Sequence, residues 1–294
     1  MKILPCIVNP VSRGGRARPP QKALQSAAAE CGWVLEWWPT RAPGHATELA
    51  ARAAGAGHPI VAVWGGDGTY NEAARGLLNT DSALLILPGG TTSVLAFELG
   101  VPHRPVEALR LQLDGERRAM AAARTDRGQV FLIMLSAGPD SLILQRMPDL
   151  LKRRFGKVGI GVQAVAEFVR GRLPRFRVVL DDGEIDASWC IAGNARCYGG
   201  PYHATPGADP FSPGLEVVTL ERHGRFAVVP FFFAIPRGTH LQRRGVTRRA
   251  VGTLRLEGPG DVPYQLDGDP AGFLPVTAFS TEDRVWVLLP RRAS

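Results

Sequence analysis

The 294-residue chain has no uninterrupted apolar stretch of about 18 residues, the length a membrane-spanning helix needs. Its longest apolar run, residues 226–235, is cut by Pro230 and reads as a buried strand or helix rather than an anchor. At the N-terminus, MKILPCIVNP is too short in apolar residues for a secretory signal core. Cysteine is scarce: Cys6, Cys31, Cys190 and Cys197 form no CxxC pair and have no histidine spacing suited to zinc. That argues against a zinc ribbon and a disulfide scaffold, and the expectation is free thiols in a reducing cytoplasm. No internal repeat or low-complexity tract is present, which argues against solenoids and disordered tails. Acids are outnumbered, 27 against 35 Lys and Arg, for a net charge of +8. A basic surface favours anionic partners: nucleotides, anionic lipid headgroups or nucleic acid. No nucleic acid is expected, because no motif of interleaved aromatic and basic residues accompanies the charge.

What the chain does have is turn chemistry. Its 34 glycines and 24 prolines argue for many turns and several strands rather than a helical bundle, and the length suits two domains or one large one. The organising stretch is VAVWGGDGTYNEAARGLL, residues 61–78. An apolar run over 60–64 predicts a buried strand, Gly65 and Gly66 break it, and from Tyr70 the spacing of Ala73, Ala74, Leu77 and Leu78 predicts a helix. A strand that ends in glycines and opens a helix turns backbone N–H groups outward, a way to hold phosphate. Asp67 sits at the carboxyl end of that strand, where open α/β sheets place ligands. An acid among phosphate-binding amides suggests that a metal cation or a reacting hydroxyl shares the site. An ordinary strand–turn–helix joint would also use two glycines and an Asp cap.

The pattern repeats on either side. Residues 2–8 predict the first strand, followed by NPVSRGG at 9–15, which lacks the GK[ST] ending of a Walker A loop. This turn can still offer its amides, the Asn9 side chain and the Arg13 guanidinium to a polyphosphate. A helix over 21–31 and a strand over 33–39 lead to Thr40, just past a strand end, and to a helix over 47–56. The strand 84–87 ends in PGGTTS and is followed by helical spacing over 94–99. Successive β–turn–α units of this kind together indicate a nucleotide crevice.

From about residue 124 the chain changes to strand after strand, at 129–136, 176–180, 184–193, 215–220, 252–257 and 285–289, with one helix over 158–170. Ahead of that helix, LLKRRFGK at 150–157 mixes apolar residues with Lys152, Arg153, Arg154 and Lys157, a composition that suits a membrane surface or a solvated basic turn. The basic cluster 237–249 allows the same two readings. Near the C-terminus, YQLDGDP places Asp267 and Asp269 on either side of Gly268, as in a hairpin turn.

Taken together, these residues resemble the diacylglycerol kinase catalytic-domain family, which includes sphingosine kinases and related bacterial lipid kinases. The resemblance runs in order through VNPVSRGG at 8–15, TRAPGHA at 40–46, GGDGTYNEAARGLL at 65–78, PGGTTSVLAFELGVP at 88–102, SAGPDSLI at 136–143, NARCYGGPYHATPGA at 194–208 and LDGD at 266–269. GGDGT alone is shared with NAD kinases and phosphofructokinases. The resemblance implies an α/β nucleotide-binding domain over 1–123, a β-rich, β-sandwich-like domain over 124–294, and an active site in a cleft between them. It implies ATP held by Asn9, Pro10, Val11, Ser12, Arg13, Thr40, Thr91 and the loop Gly65, Gly66, Asp67, Gly68, Thr69, Tyr70, Asn71 and Glu72. Asp67 would orient or neutralise the Mg2+–ATP phosphates, and Asp269 would be the general base with Asp267 beside it. The implied activity is ATP-dependent phosphorylation of a lipid hydroxyl (diacylglycerol or sphingoid-like) in phospholipid metabolism, by a cytoplasmic protein peripheral to the inner membrane face.

The sequence departs from the family pattern at three places: Asp269 stands where Glu is usual, Ser93 where GTxN ends in Asn, and Pro213 where a metal-associated loop has Asp. For that reason the structural Mg2+ site of some bacterial members is not carried over. The same departures leave open a non-catalytic lipid- or nucleotide-binding homologue, and the wide sharing of GGDGT leaves open a kinase of a soluble alcohol.

Overall fold

The computed structural model describes residues 2–12, 18–90, 93–146 and 174–291. The expected helix over 158–170 and the basic segment 150–157 lie outside the described residues, as do Arg13 and Thr91. The chain divides into two units, residues 1–120 with 283–294, and residues 121–282.

In the first unit, strands and helices alternate: β1 (Lys2–Val8), α1 (Gln21–Glu30), β2 (Trp33–Pro39), α2 (His45–Gly55), β3 (Ile60–Gly65), α3 (Asp67–Leu77), β4 (Ala83–Pro88), α4 (Val94–Glu98) and α5 (Pro105–Leu113). The strands pair in parallel in the order β2-β1-β3-β4. Leu4, Cys6, Ala62, Trp64, Leu85 and Leu87 point to one face, where they pack with Leu24, Ala27 and Ala28 of α1 and Leu109 of α5. Their alternates Ile7, Val61, Val63, Leu84 and Ile86 are buried too. Strands buried on both faces read as continuous apolar runs, which is why these were legible without alternation. Helix α5 opens with a proline at its first turn, and its Gln112 side chain bonds the backbone of Ile86 in both directions.

The second unit is a β-sandwich. One sheet has the order β14 (Val246–Val251), β13 (Leu215–Leu220), β10 (Trp189–Gly193), β7 (Met134–Ala137), β16 (Pro263–Leu266) and β17 (Asp269–Phe273). The facing layer contains β8 (Phe176–Leu180), β9 (Gly183–Ala187), β15 (Thr253–Glu257) and the first part of β18 (Val276–Leu289), with β5 (Glu116–Thr125) paired to β18 and to β6 (Val130–Phe131), while β11 (Cys197–Tyr198) and β12 (Tyr202–His203) pair separately. Val178, Leu254, Leu256 and Val276 on one side and Leu135, Ala192, Val217 and Tyr264 on the other form one core. Antiparallel ladders join neighbours throughout.

Four expectations are corrected in whole or in part. The run 129–136 is two strands, Val130–Phe131 and β7, and the run 184–193 is also two, because the backbone and hydroxyl of Ser188 turn aside to Leu220. The last residues do not stay with the second domain: from Asp283 they belong to the first unit, where Trp286 and Val287 pair in parallel with Ala83 and Leu84 of β4. The apolar run near 226–235 is a helix, Arg225–Ala234, but one face of it is exposed.

Candidate active site

In the first unit β1 lies between β2 and β3, so the strand order reverses there, and open parallel sheets bind ligands outside the carboxyl ends of strands at such a point. The ends of β1 to β4 deliver Asn9, Thr40, Gly65 with Gly66, and Gly89 with Gly90 to that edge. Neighbouring ends are tied by backbone bonds: Thr40 N–H donates to Val8 carbonyl at 2.8 Å, Asn9 N–H to Trp64 at 3.1 Å and Gly89 N–H to Gly65 at 2.8 Å.

Helix α3 starts at Asp67, three residues before the apolar spacing suggested, with Gly66 as its N-cap and the Thr69 and Tyr70 N–H groups donating to the Gly66 carbonyl. The GDGT segment is therefore the first helical turn rather than a separate loop. The Asp67 carboxylate accepts the backbone N–H of Val94 and of Leu95, each at 3.0 Å. Amide donors at the start of the 94–98 segment thus give this acid partners within the protein. The Asn9 amide group donates to Thr69 Oγ1 at 3.0 Å and its carbonyl accepts Val11 N–H at 3.1 Å, fastening the turn after β1 to the first turn of α3. Pro10 and Val11 are exposed and Ser12 is buried.

Two expected nucleotide contacts face elsewhere. Tyr70 is fully buried, donates its hydroxyl toward the Gly65 carbonyl (2.8 Å) and the Leu87 carbonyl (3.1 Å), and burial pushes its phenol well up from the ordinary value. It braces both glycine-rich strand ends from beneath. The Glu72 carboxylate accepts Ala46 N–H at 3.3 Å and its carbonyl accepts Thr47 Oγ1 at 2.7 Å, so it serves the N-terminus of α2. Asn71 is buried on α3.

The second unit presents a different chemistry. Between β16 and β17, Asp267 and Gly268 form a two-residue hairpin loop with φ of 51° and 91°. Positive φ at both loop positions is the type I′ hairpin, which Asp-Gly favours. The Asp267 carboxylate accepts three backbone N–H groups, from Leu132 (2.8 Å), Ile133 (2.9 Å) and Met134 (2.9 Å). This cradle is what breaks the expected strand 129–136. These three bonds give Asp267 a structural role in the hairpin. Asp269, the first residue of β17, is exposed.

The segment SAGPDSLI carries Asp140, to which the sequence alone assigns no role. It lies in α6 (Pro139–Arg146), where its carboxylate accepts the Tyr198 hydroxyl at 3.0 Å and reaches the Gln265 amide at 3.5 Å. The Gln265 carbonyl oxygen in turn accepts Gly268 N–H at 2.7 Å, linking this acid to the hairpin that carries Asp269. Burial raises the Asp140 carboxyl above its ordinary value, outweighing hydrogen bonds that lower it, and raises the Tyr198 phenol as well. A buried acid with shifted proton affinity marks a functional candidate, and no periodicity in the sequence could have revealed its burial. Glu216, next to the departure at Pro213, is buried, accepts Gly207 N–H at 2.7 Å and pairs with Arg248. Among the described residues no group of three or more His, Cys, Asp or Glu is placed to hold a metal ion.

Residues 4–125 match the diacylglycerol kinase catalytic domain, and residues 133–289 match the YegS C-terminal NAD kinase beta sandwich-like domain. A diacylglycerol kinase of Mycobacterium tuberculosis is 32% identical over 254 residues, covering 84% of this chain and 82% of that protein. The lipid kinase YegS of Escherichia coli K12 is 25% identical over 233 residues, covering 77% of each. Among solved structures, one from Bacillus anthracis matches with a TM-score of 0.81 at 21% identity over 98% of this chain and 95% of that one. A diacylglycerol kinase structure from the same organism matches with 0.70 at 19%, covering 98% and 96%. At such identities the structural likeness speaks for the fold.

Proposed function

Because the chain belongs to the diacylglycerol kinase family, we propose that it transfers the terminal phosphoryl group of ATP to a hydroxyl of a membrane lipid, with diacylglycerol as the leading acceptor. The chain is a lipid kinase, and the named activity of the M. tuberculosis relative supports the choice of lipid. The observation that carries the reading is the edge of the first unit's sheet, where strand ends meet at a topological switch point and Asp67 fixes one strand-end segment to another.

On this edge the backbone amides at the start of α3, the Asn9 side chain and Thr40 hold the phosphates, with Arg13 and Thr91 as further sequence-based candidates. Phosphoryl transfer depends mainly on positioning and charge stabilisation, so a rigid donor platform is the chief requirement. Mg2+ would enter with the nucleotide and neutralise phosphate charge. Both Asp67 oxygens hold amide hydrogens and, among the described residues, no group of three or more His, Cys, Asp or Glu is placed to hold a metal ion, so the described residues do not fit a dedicated metal cage around Asp67.

In the second unit Asp269 accepts the proton of the lipid hydroxyl. Asp267 holds the turn beneath it and Gln265 couples the turn to Asp140, whose buried carboxyl is a hydrogen-bond partner for the acceptor hydroxyl. Because its acceptor is a bilayer lipid, the protein works peripherally at a membrane surface from the cytoplasm, in phospholipid biosynthesis. Labelled ATP with the purified protein tests this against diacylglycerol, a sphingoid base, ceramide, a prenol and phosphatidylglycerol in mixed micelles. Transfer to diacylglycerol above the rest is expected; ATP binding without transfer to any of them would overturn the proposal.

A further inference from the structure

Helix α7 (Arg225–Ala234) has apolar side chains on more than the face it packs with. Its inner stripe, Val228, Phe231 and Ile235, is buried, with Phe231 set edge-on to Trp189 at 5.3 Å between ring centroids and to His240 at 5.9 Å. The opposite stripe carries Phe226, 86% exposed, and Phe233, 56% exposed, seven residues apart and so on one side of a helix. Phe232, 46% exposed, stacks on Trp189 at 6.3 Å and stands between the stripes. A helix apolar on two sides is suited to a buried or lipid setting, and at ten residues, about 15 Å, this one lies along an interface rather than across it.

The charge around it has one sign. Residues 222–244 contain five arginines and no acid. Arg222, Arg243 and Arg244, with Leu220, Phe226, Ala227 and Gln242, line a cavity of about 370 Å³ at the start of the helix. The stem of Arg222 passes over Gly245, where an added Cβ would stand 2.5 Å from the Arg222 Cγ. Arg237, one turn past the helix, caps the Phe233 carbonyl at 2.6 Å. Among the described residues none of these four arginines makes an ion pair. Guanidinium groups without carboxylate partners, beside exposed phenyl rings, match the chemistry of an anionic bilayer surface: phosphates above, acyl chains below.

We propose that α7 and the arginine-lined cavity beside it form a docking site for an anionic phospholipid bilayer. Phe226 and Phe233 enter the interface, and Arg222, Arg243 and Arg244 take a lipid phosphate. This surface uses none of the residues of the basic segment 150–157. It deepens the reading of the chain as a lipid kinase by naming the face that meets the lipid, yet binding can be measured without catalysis.

The experiment sediments the full-length protein with phosphatidylglycerol–phosphatidylcholine vesicles and with phosphatidylcholine vesicles, at low and high salt. Wild type is expected to bind the anionic vesicles, and less so in high salt. The Arg243→Ala/Arg244→Ala pair is expected to lower the partition coefficient about thirty-fold, and Phe226→Ala/Phe233→Ala about ten-fold or more. Thermal melts confirm that both pairs are folded, and Phe226→Trp is expected to shift its emission to the blue on anionic vesicles alone. Transfer to diacylglycerol dispersed in neutral detergent micelles is expected to be unchanged in both pairs. Vesicle binding by a protein inactive on micelles would sink the kinase reading and leave the docking site standing. Equal sedimentation of wild type and the phenylalanine pair, or no emission shift for Phe226→Trp, overturns the proposal.

Discussion

Gly66 and Gly90 meet backbone to backbone: a methyl group on Gly90 would stand 2.8 Å from the Gly66 Cα. Neither residue has positive φ, so glycine is needed here for close approach and not for backbone freedom. The glycines that end β3 and β4 thus form one narrow platform, braced by Tyr70 from below and by Asp67 across the top.

Gly90→Ala forces those backbones apart. A misplacement near 1 Å at a positioned reactant costs about 10²-fold in rate. Turnover is expected to fall by about that factor with weaker ATP binding, while the melting temperature changes little. Steady-state kinetics across ATP concentrations check this, and wild-type values would remove the platform from the ATP site.

Asp67→Asn keeps one carbonyl oxygen for an amide but turns an NH2 group toward the other N–H of the Val94–Leu95 pair. A hydrogen bond to a charged group contributes about 1.5–3 kcal/mol, so the 94–98 segment should loosen. Phosphoryl transfer is expected to drop at least about 10²-fold, with nucleotide binding partly retained by the remaining amides. Undiminished turnover would defeat the assignment.

Asp269 and Asp267 should separate cleanly. Asp269→Ala is expected to lower turnover on the lipid by about 10²–10⁴-fold, the range of a positioned general base, with ATP affinity and melting temperature near wild type. Asp267→Ala removes the acceptor for three amides and places Ala at φ 51°. It is expected to cost about 2 kcal/mol or more in stability. Denaturant melts alongside kinetics decide the matter: a stable Asp267→Ala protein, or an active Asp269→Ala protein, would reverse these roles.

The Asp140 carboxyl is raised by burial from the ordinary value of 3.8. Between that value and the raised one, the folded chain holds a proton that the unfolded chain has released. The stability this group contributes therefore falls as pH rises through that window and levels off above it. Asp140→Asn does not titrate, so its melting temperature minus that of wild type should climb from about pH 4 upward and then flatten. A difference that is constant with pH would mean that Asp140 is not desolvated in solution.

Much of this was readable in advance because the interactions are local. Asp267-Gly268 between alternating residues announces its hairpin, and the apolar runs of β1, β3 and β4 followed by small residues announce strands ending in loops. What Asp67, Glu72 and Asp267 do was not readable. All three looked like residues of the site, and all three hold backbone amides 26 to 135 positions away in sequence, the Asp67 pair at 27 and 28. The sequence also gave no warning that 129–136 is split, since the cause lies at Asp267.

By itself, the sequence determined the alternation of strand and helix in the first unit and the succession of strands in the second, because these follow from short-range spacing and turn chemistry, while the family followed from an ordered set of motifs that resemble it. Tertiary structure alone decided which backbone amides Asp67, Glu72 and Asp267 hold, that the Asp140 carboxyl is buried beside Tyr198, and that α7 shows Phe226, Phe232 and Phe233 to solvent. A side chain's burial and its hydrogen-bond partners are set by whichever distant segments pack around it, and that information is absent from any window of neighbouring residues.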